Sequence, residues 1–508
     1  MEYELIAAVD LGSNSFRLQV ARVVGDQVYP LDAIKETVRL AGGLRADKTL
    51  DVDSQARGLA ALRQFGERLR GFDPKAVRAV ATNTLRVAKN APEFLAQAEK
   101  ELGFPIEVIA GREEARLIYI GTAHSLPPST QRRFVVDIGG GSTEFIIGRR
   151  FDPILMESLY MGCVSFSNRY FPGGVVERKA FQEAELAAAR EIETIAHHYL
   201  ASGWHESVGS SGTAREIADI LEQNGLNPDG AYGITRQGVE KLKALLIKAG
   251  SVEKMGLTGM RADRIPVLPG GLAIMSAVIE AFGIERMTYG DGALRLGVLY
   301  DLLGRFHHHD MRDATVRHFM QRYQVDVAQA ARVEELAVSF LEQLDPEAVE
   351  DGKPNGERAQ FLLWAARLHE IGISVAHAAY HKHGAYILSF ADMPGFSKKD
   401  QAKLALLVLG HRGKLEKIAS LPAADPAWTS LFCLRLAALF CRSRHAFAAP
   451  EIRVRRADRQ FVLDLPTGWL GRNAMTAAAL EDELVAWSRA GFEFKVKSFS
   501  NKSIRKAD

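Results

Sequence analysis

The sequence predicts two α/β domains of one plan around a shared cleft, then a helical domain, then a small α+β domain. Three observations carry that prediction. A unit of strand, Asp, Gly/Ser turn and strand is written twice, at residues 6–20 (IAAVDLGSNSFRLQV) and 134–147 (FVVDIGGGSTEFII). Apolar strand-like runs alternate with helical patterns up to about residue 303, the mark of a largely parallel α/β core. From Gly304 the texture becomes helix after helix until Pro450. The expected domains are 1–124, 125–304, 305–449 and 450–508.

Aligning Asp10 with Asp137 pairs Gly12 with Gly139 and Ser15 with Ser142. Each unit reads as a β-hairpin whose tip backbone can touch an anion. Gly lacks Cβ, so main-chain N–H groups approach phosphate oxygens closely, and Ser adds hydroxyl donors. The Asp at each strand end is placed to hold a divalent cation, directly or through water. One such hairpin is ordinary turn chemistry. An internal repeat is architectural evidence, and it puts the two tips on one cleft.

Between the hairpins, Gln27–Asp32 starts a further strand. Asp53–Gly71 has helical periodicity, with Ala56, Leu59, Leu62, Phe65, Gly66 and Leu69 on one face. Ala76–Ala81 is a strand ending at Thr82–Arg86. Pro92–Leu102 is a helix with Pro at its start. Ile106–Ile109 is a strand whose end, Ala110–Arg116, opens another helix. Arg86 and Glu114 therefore stand at strand ends, where such folds place chemistry. After Ser125–Thr130 the second copy begins, and a long helix covers Arg178–Tyr199. Gly-rich strand ends follow at Val208–Thr213 and at Pro269–Gly271, and Tyr289–Ala293 leads into a helix ending near Leu303. In the helical region Ala359–Ser374 is an amphipathic helix carrying His369 and Glu370. In the tail, Arg453–Leu465 alternates like a hairpin, Ala474–Arg489 is helical and Phe492–Val496 is a closing strand.

At 508 residues, 47% apolar and 25% charged, the chain is ordinary globular material with room for several cores. A net charge of +2 gives no global argument for nucleic acid. Ten of the fourteen histidines lie between His307 and His445 among many arginines, which suggests a basic surface for polyanions. Cys163, Cys433 and Cys441 form no CxxC pair and no disulfide framework, Cys163 reading as a core thiol. No signal peptide is visible and no segment approaches the ~20 apolar residues of a membrane span. A cytoplasmic protein is expected.

VDLGSNSF, the Thr82–Arg86 strand end, GREEARLIY, VVDIGGGSTEFIIG, MGCVSF with RYFPGG, GSSGT and DGALRLGVLY together resemble the exopolyphosphatase / guanosine pentaphosphate phosphohydrolase family. The resemblance covers nearly the whole chain and points to the longer, bacterial exopolyphosphatase-like members. It implies the duplicated actin/hexokinase-like (ribonuclease H-like) fold shared with sugar kinases and chaperone ATPases. It implies hydrolysis of terminal phosphates from inorganic polyphosphate, with some activity on guanosine pentaphosphate, Mg2+ as cofactor, and a homodimer.

Residue by residue, the resemblance makes Glu114 the carboxylate that positions or deprotonates the attacking water. Glu113 is the adjacent candidate. On the residues alone, two acids in a first helical turn complement the dipole. Phosphoanhydride hydrolysis needs chiefly charge neutralisation and a positioned water, which one carboxylate in the cleft can supply. Arg86 is expected to grip the terminal phosphate through its planar fork. Asp137 and Glu144, with Asp10 opposite, are expected to hold Mg2+. Gly12, Ser13, Asn14 and Ser15, with Gly139, Gly140, Gly141, Ser142 and Thr143, are expected to contact phosphate.

The region from about 307 resembles an HD-type phosphohydrolase domain, except that the metal-binding His-Asp pair is His369-Glu370 here. The longer carboxylate misplaces a ligand, so a decayed metal site is expected. His381, Lys382 and His383, with His411, Arg412 and Arg442–His445, then read as a track for a long phosphate chain, salt-sensitive by analogy with nucleic-acid backbones. The alternative is a nucleotide-binding scaffold or chaperone-like ATPase of the same superfold, its base pocket built from Gly209–Thr213 and Pro269–Gly271. A kinase would need an acceptor pocket, for which no motif is present.

Overall fold

The computed structural model describes residues 4–127, 129–228, 231–306, 310–350, 353–444 and 451–499. The chain forms two compact units, Met1–Met311 and Arg312–Asp508.

In the first unit, β1 (Leu5–Leu11), β2 (Phe16–Val24) and β3 (Gln27–Glu36) form an antiparallel meander. β4 (Val77–Ala81) and β5 (Ile106–Val108) extend it in parallel beside β1, giving the order β3-β2-β1-β4-β5. The second sheet repeats this plan. β6 (Arg132–Ile138), β7 (Thr143–Arg149) and β8 (Asp152–Leu159) form the meander, and β9 (Glu206–Ser210) and β11 (Arg286–Tyr289) continue it in parallel. The two-residue β10 (Ile234–Thr235) is antiparallel at the edge, so the order is β10-β11-β9-β6-β7-β8. This is the duplicated α/β architecture expected. The repeat includes a third strand that the sequence does not announce, because DPILMESL carries Pro153 and two acids beside a register shift. Thr82–Arg86 is likewise not strand end alone, since Asn83–Val87 makes one short helix.

Helix Gly111–Ser125 and helix Leu294–Phe306 meet backbone to backbone at Gly121 and Gly297, where a Cβ would collide with the Ala293 and Leu117 carbonyls. Beside that contact lies a buried ion network. Arg116 donates to both oxygens of Glu113 (2.8 and 2.7 Å) and to Asp301 (2.5 Å), and Arg78 donates to Asp301 at 2.6 Å. Removing one member leaves buried charge only partly compensated. Asp301→Ala is therefore expected to destabilise the protein by about 3–5 kcal/mol in chemical denaturation. A loss below about 1 kcal/mol would contradict that reading.

The apolar window Ile265–Phe282 is 18 residues long, but 78% of it is buried inside the unit, so it is a core helix rather than a membrane span. Cys163, Cys433 and Cys441 are buried and unpaired.

The second unit is built of helices that include Val327–Leu344, Glu357–Leu368, Tyr380–Phe390, Lys398–Gly410 and Ala427–Phe440. A two-residue ladder joins β12 (Val349–Glu350) to β13 (Lys353–Pro354). The tail sheet pairs β14 (Arg453–Ala457) antiparallel to β15 (Gln460–Pro466), and β15 parallel to β16 (Glu493–Phe499). Helix Ala474–Arg489 joins β15 to β16. Phe432 stacks on Phe461 with centroids 4.1 Å apart, so helices and tail sheet share one core. The amphipathic helix expected over Ala359–Ser374 stops at Leu368. His369 caps it by bonding back to the Ala366 carbonyl, and Ile371–Ser374 is a separate 3-10 turn.

Candidate active site

Both hairpin tips line one cavity of about 140 Å³ in the first unit. The tips touch: a Cβ on Gly140 would lie 3.0 Å from the Ser13 Cβ and 3.2 Å from the Asn14 nitrogen. Thr84 Oγ1 and Ser13 Oγ are hydrogen-bonded at 2.8 Å, fixing the first tip to the end of β4. Of the residues expected at the site, the cavity collects Asp10, Gly12, Ser13, Asn14, Ser15 and Glu114 from one side. It collects Asp137, Gly139, Gly140, Ser142 and Glu144 from the other.

Two expected contacts are corrected. Thr143 is fully buried and its hydroxyl donates to the Met161 carbonyl at 2.6 Å, so it does not face the cavity. Gly141 presses on Asn83 and Ser13 instead of lining the cavity, because a Cβ there would strike the Asn83 amide. Arg86 stands directly beside Glu114, which lines the cavity. Its Nη1 donates to Glu114 Oε2 at 2.7 Å and to the Ile109 carbonyl at 3.0 Å, which holds Glu114 in place. The adjacent acids separate cleanly. Glu113 is absorbed by Arg116, whereas Glu114 faces the cavity, because successive residues of a helical turn point about 100° apart.

The cavity carries four carboxylates. Burial pushes Asp10 up to about 6, opposed by the charges of Arg17 and Arg295. Burial pushes Asp137 up to about 7; Ser210 opposes the shift, and the charges of Glu114 and Asp10 add to it. Glu144 is raised by burial and then by Glu114 and Asp137, although Ser158 donates to it at 2.8 Å. In β-register Asp137 faces Glu144, whereas Asp10 faces Arg17, so the second hairpin is the more acidic copy.

Asp10 Oδ1 is buried with no hydrogen-bond partner among the described residues. Negative groups held together at this cost fit a cation. Among the described residues no three His, Cys, Asp or Glu side chains converge on a single metal position. A Mg2+ ion keeps several waters and takes one or two carboxylates plus substrate phosphates. Asp10, Asp137 and Glu144 are the residues that could supply them.

Sequence reasoning missed the cations of this cavity: Arg17, Arg264 and Arg295 line it. Burial and the nearby charge of Arg17 lower Arg295 to about 10. A signal for two of them was present, since Arg17 follows the first tip by two residues and Arg295 lies inside DGALRLGVLY. Arg264 donates to Thr213 Oγ1 at 2.7 Å and pairs with Glu216 at 3.2 Å, which no local pattern reveals. Ser211 and Gly212 also line the cavity at the start of helix Ser211–Gln223. Ser211 holds φ +87°, a strained value for a residue with a Cβ.

The Pro269–Gly271 segment offers no base pocket. It is buried in helix Leu268–Phe282, where Gly270 lets helix Cys163–Tyr170 pack against it; a Cβ on Gly270 would lie 2.6 Å from the Cys163 carbonyl.

In the second unit, the expected polyanion track is corrected in part. His411 is buried and His381 half-buried, and burial is the main reason both are held well below the usual histidine range, His381 near 4. Neither ring is a cation at neutral pH. Lys382 and Arg412 are exposed charges, and His383 is half-buried. His307 and His445 lie outside the described residues.

The family model described as Ppx/GppA phosphatase matches residues 19–306, and that of Ppx/GppA phosphatase, domain III, matches residues 311–484. Among solved structures, an Aquifex aeolicus Ppx/GppA family member is similar at 26% identity and a TM-score of 0.50, over 60% of this chain and 99% of its own. An exopolyphosphatase from Cytophaga hutchinsonii shares the fold at 23% identity and a TM-score of 0.54, over 59% of this chain and 98% of its own. An exopolyphosphatase-like protein does so at 23% identity and 0.53, over 59% and 99%. Carrying the actin-like duplicated fold with family matches across both units, this chain belongs to the Ppx/GppA phosphatase family, hydrolases of phosphate compounds.

Proposed function

We propose that this phosphatase is an exopolyphosphatase, releasing orthophosphate from the end of inorganic polyphosphate by attack of a water held by Glu114. The observation that carries this reading is the small cavity in which Glu114 meets both glycine-rich tips and three arginines. About 140 Å³ leaves room for a phosphoryl group and an attacking water.

Backbone N–H groups of Gly12–Ser15, Gly140 and Ser142, with Arg17, Arg264 and Arg295, bind the anionic oxygens. Asp10, Asp137 and Glu144 are the carboxylates from which Mg2+ would draw one or two ligands, and the ion would add charge neutralisation. Glu114 Oε2 is held by Arg86, so Oε1 is the atom that accepts the water proton. The water oxygen bonds to the terminal phosphorus as the anhydride P–O bond breaks in line, with no phosphoenzyme. Guanosine pentaphosphate, whose 5′ end presents the same anhydride, is a second substrate in this reading. The neutral rings of His381 and His411 leave Lys382 and Arg412 as the cations of the second unit's track.

Phosphate release from long polyphosphate, ATP and guanosine pentaphosphate with Mg2+ tests the assignment. Polyphosphate is expected to be turned over with the highest kcat/KM. Turnover of ATP alone would replace this reading with the nucleotide-dependent scaffold.

A further inference from the structure

We propose that Lys35 and Asp263 are positioning residues of the phosphatase site, joining its two α/β halves so that Arg17 and Arg264 face one bound phosphate from opposite walls. The proposal rests on the phosphatase reading and adds two residues that the reading does not use.

Lys35 is on β3 of the first half, and Asp263 stands 228 positions later, in the second. Lys35 Nζ donates to Asp263 Oδ2 at 2.5 Å, with both side chains 28% exposed. Across the first sheet, Asp10 is opposite Arg17 and Arg17 is opposite Lys35. Side chains at paired positions leave the sheet on one face, so the three charges form a row. Arg17 in that row lines the cavity. Two cations directly opposite one another repel. Asp263 brings the counter-charge for Lys35 from the other half of the site.

Asp263 is next in sequence to Arg264, whose guanidinium is fixed on two sides. Its Nε pairs with Glu216 at 3.2 Å, and its Nη2 donates to Thr213 Oγ1 at 2.7 Å. Thr213 Oγ1 in turn donates to the Ile138 carbonyl at 3.0 Å, at the root of the second tip. Nη1 forms no hydrogen bond among the described residues, so it is the donor left for an anion in the cavity that Arg264 lines. The turn itself is closed by the Arg264 N–H, which donates to the Arg261 carbonyl at 2.8 Å. Asp263 therefore cannot shift without carrying Arg264 with it.

A second contact makes the same junction. The N–H groups of Arg39 and Ala41 donate to the Asn14 and Ser13 carbonyls at 2.8 and 2.9 Å, tying the segment after β3 to the first tip. Ala41 packs against the apolar core of the second half. Apolar contact holds the halves together without direction, whereas a charge-assisted hydrogen bond fixes how one sits against the other. An ion pair this exposed contributes little to stability. A misplacement of about 1 Å in a group that binds substrate can nevertheless cost about 10²-fold in rate.

Steady-state phosphate release by the full chain tests this, using whichever of polyphosphate, ATP and guanosine pentaphosphate the wild type turns over fastest. Asp263→Asn and Lys35→Met are each expected to lower kcat/KM by at least about tenfold, mostly through KM, with thermal melting close to wild type. Lys35→Arg keeps the charge and is expected to retain most of the activity. Combining Lys35→Met with Asp263→Asn should be no worse than the poorer single variant, because both remove one contact. In an Arg264→Gln background, Asp263→Asn should cost no more than about twofold further, because its effect passes through Arg264. Unchanged kcat/KM in Asp263→Asn overturns the proposal. So do losses that multiply in the Arg264→Gln background, or losses that follow a fall in Tm. Glu114→Gln separates this proposal from the phosphatase reading. Undiminished release by Glu114→Gln beside an impaired Asp263→Asn removes the mechanism and leaves the ion pair's role, and the opposite pattern removes only the ion pair's role.

Discussion

Glu114→Gln is expected to lower kcat for phosphate release by about 10²–10⁴-fold, the range for losing a positioned base. The substitution keeps the side chain's shape and one acceptor for Arg86, so circular dichroism and the apparent KM for polyphosphate should stay close to wild type. Glu113→Gln is the control. It attacks the ion network with Arg116 and should lower stability, while kcat per folded molecule falls far less than in Glu114→Gln. Equal losses in kcat for the two variants would remove the distinction drawn from their opposite faces. Undiminished release by Glu114→Gln would remove Glu114 from the mechanism.

The second large effect concerns Asp137. Its folded pKa of about 7 lies above the ordinary aspartate value of 3.8, so the fold favours its protonated form. Stability from this group is fully present below the unfolded value and is lost as pH rises toward about 7. Metal-free protein at pH 8 therefore carries the whole penalty. Asp137→Asn removes the charge and is expected to raise Tm at pH 8 by on the order of 5 °C, with the gain fading toward pH 4. Mg2+ should raise the Tm of wild type at pH 8 and have much less effect on the variant, which should also lose most activity. Thermal scans across pH, with and without Mg2+, decide this. A variant less stable than wild type at pH 8 would show that the buried carboxylate is satisfied without a cation.

The catalytic half of the molecule was legible where local chemistry and repetition coincide. Asp10 and Asp137, with the Gly12–Ser15 and Gly139–Ser142 turns, stand out because a glycine-rich tip between buried strands is rare enough to register twice. The carboxylate choice was half legible. GREEAR shows two acids, and only the side of the helix facing Arg116 and Asp301 shows which one is spent on structure. Thr143 misled for a related reason: its residue type suits phosphate, but its hydroxyl is spent on the Met161 carbonyl. Histidine-rich sequence suggested positive charge in the second unit. Burial reverses that inference for His381 and His411, because desolvation favours the neutral ring.

Sequence alone determined the duplication, the alternation of strands and helices, the change to helices after Gly304, and the residue types at each tip. Those are properties of short stretches, set by periodicity and by what glycine, serine and aspartate do in a turn. Tertiary structure alone decided that the two tips touch, that Glu114 rather than Glu113 reaches the cavity, that Arg17, Arg264 and Arg295 join it, and that burial favours the neutral rings of His381 and His411. Each of these depends on which distant partner claims a donor, an acceptor or a charge, and on how much water remains beside it.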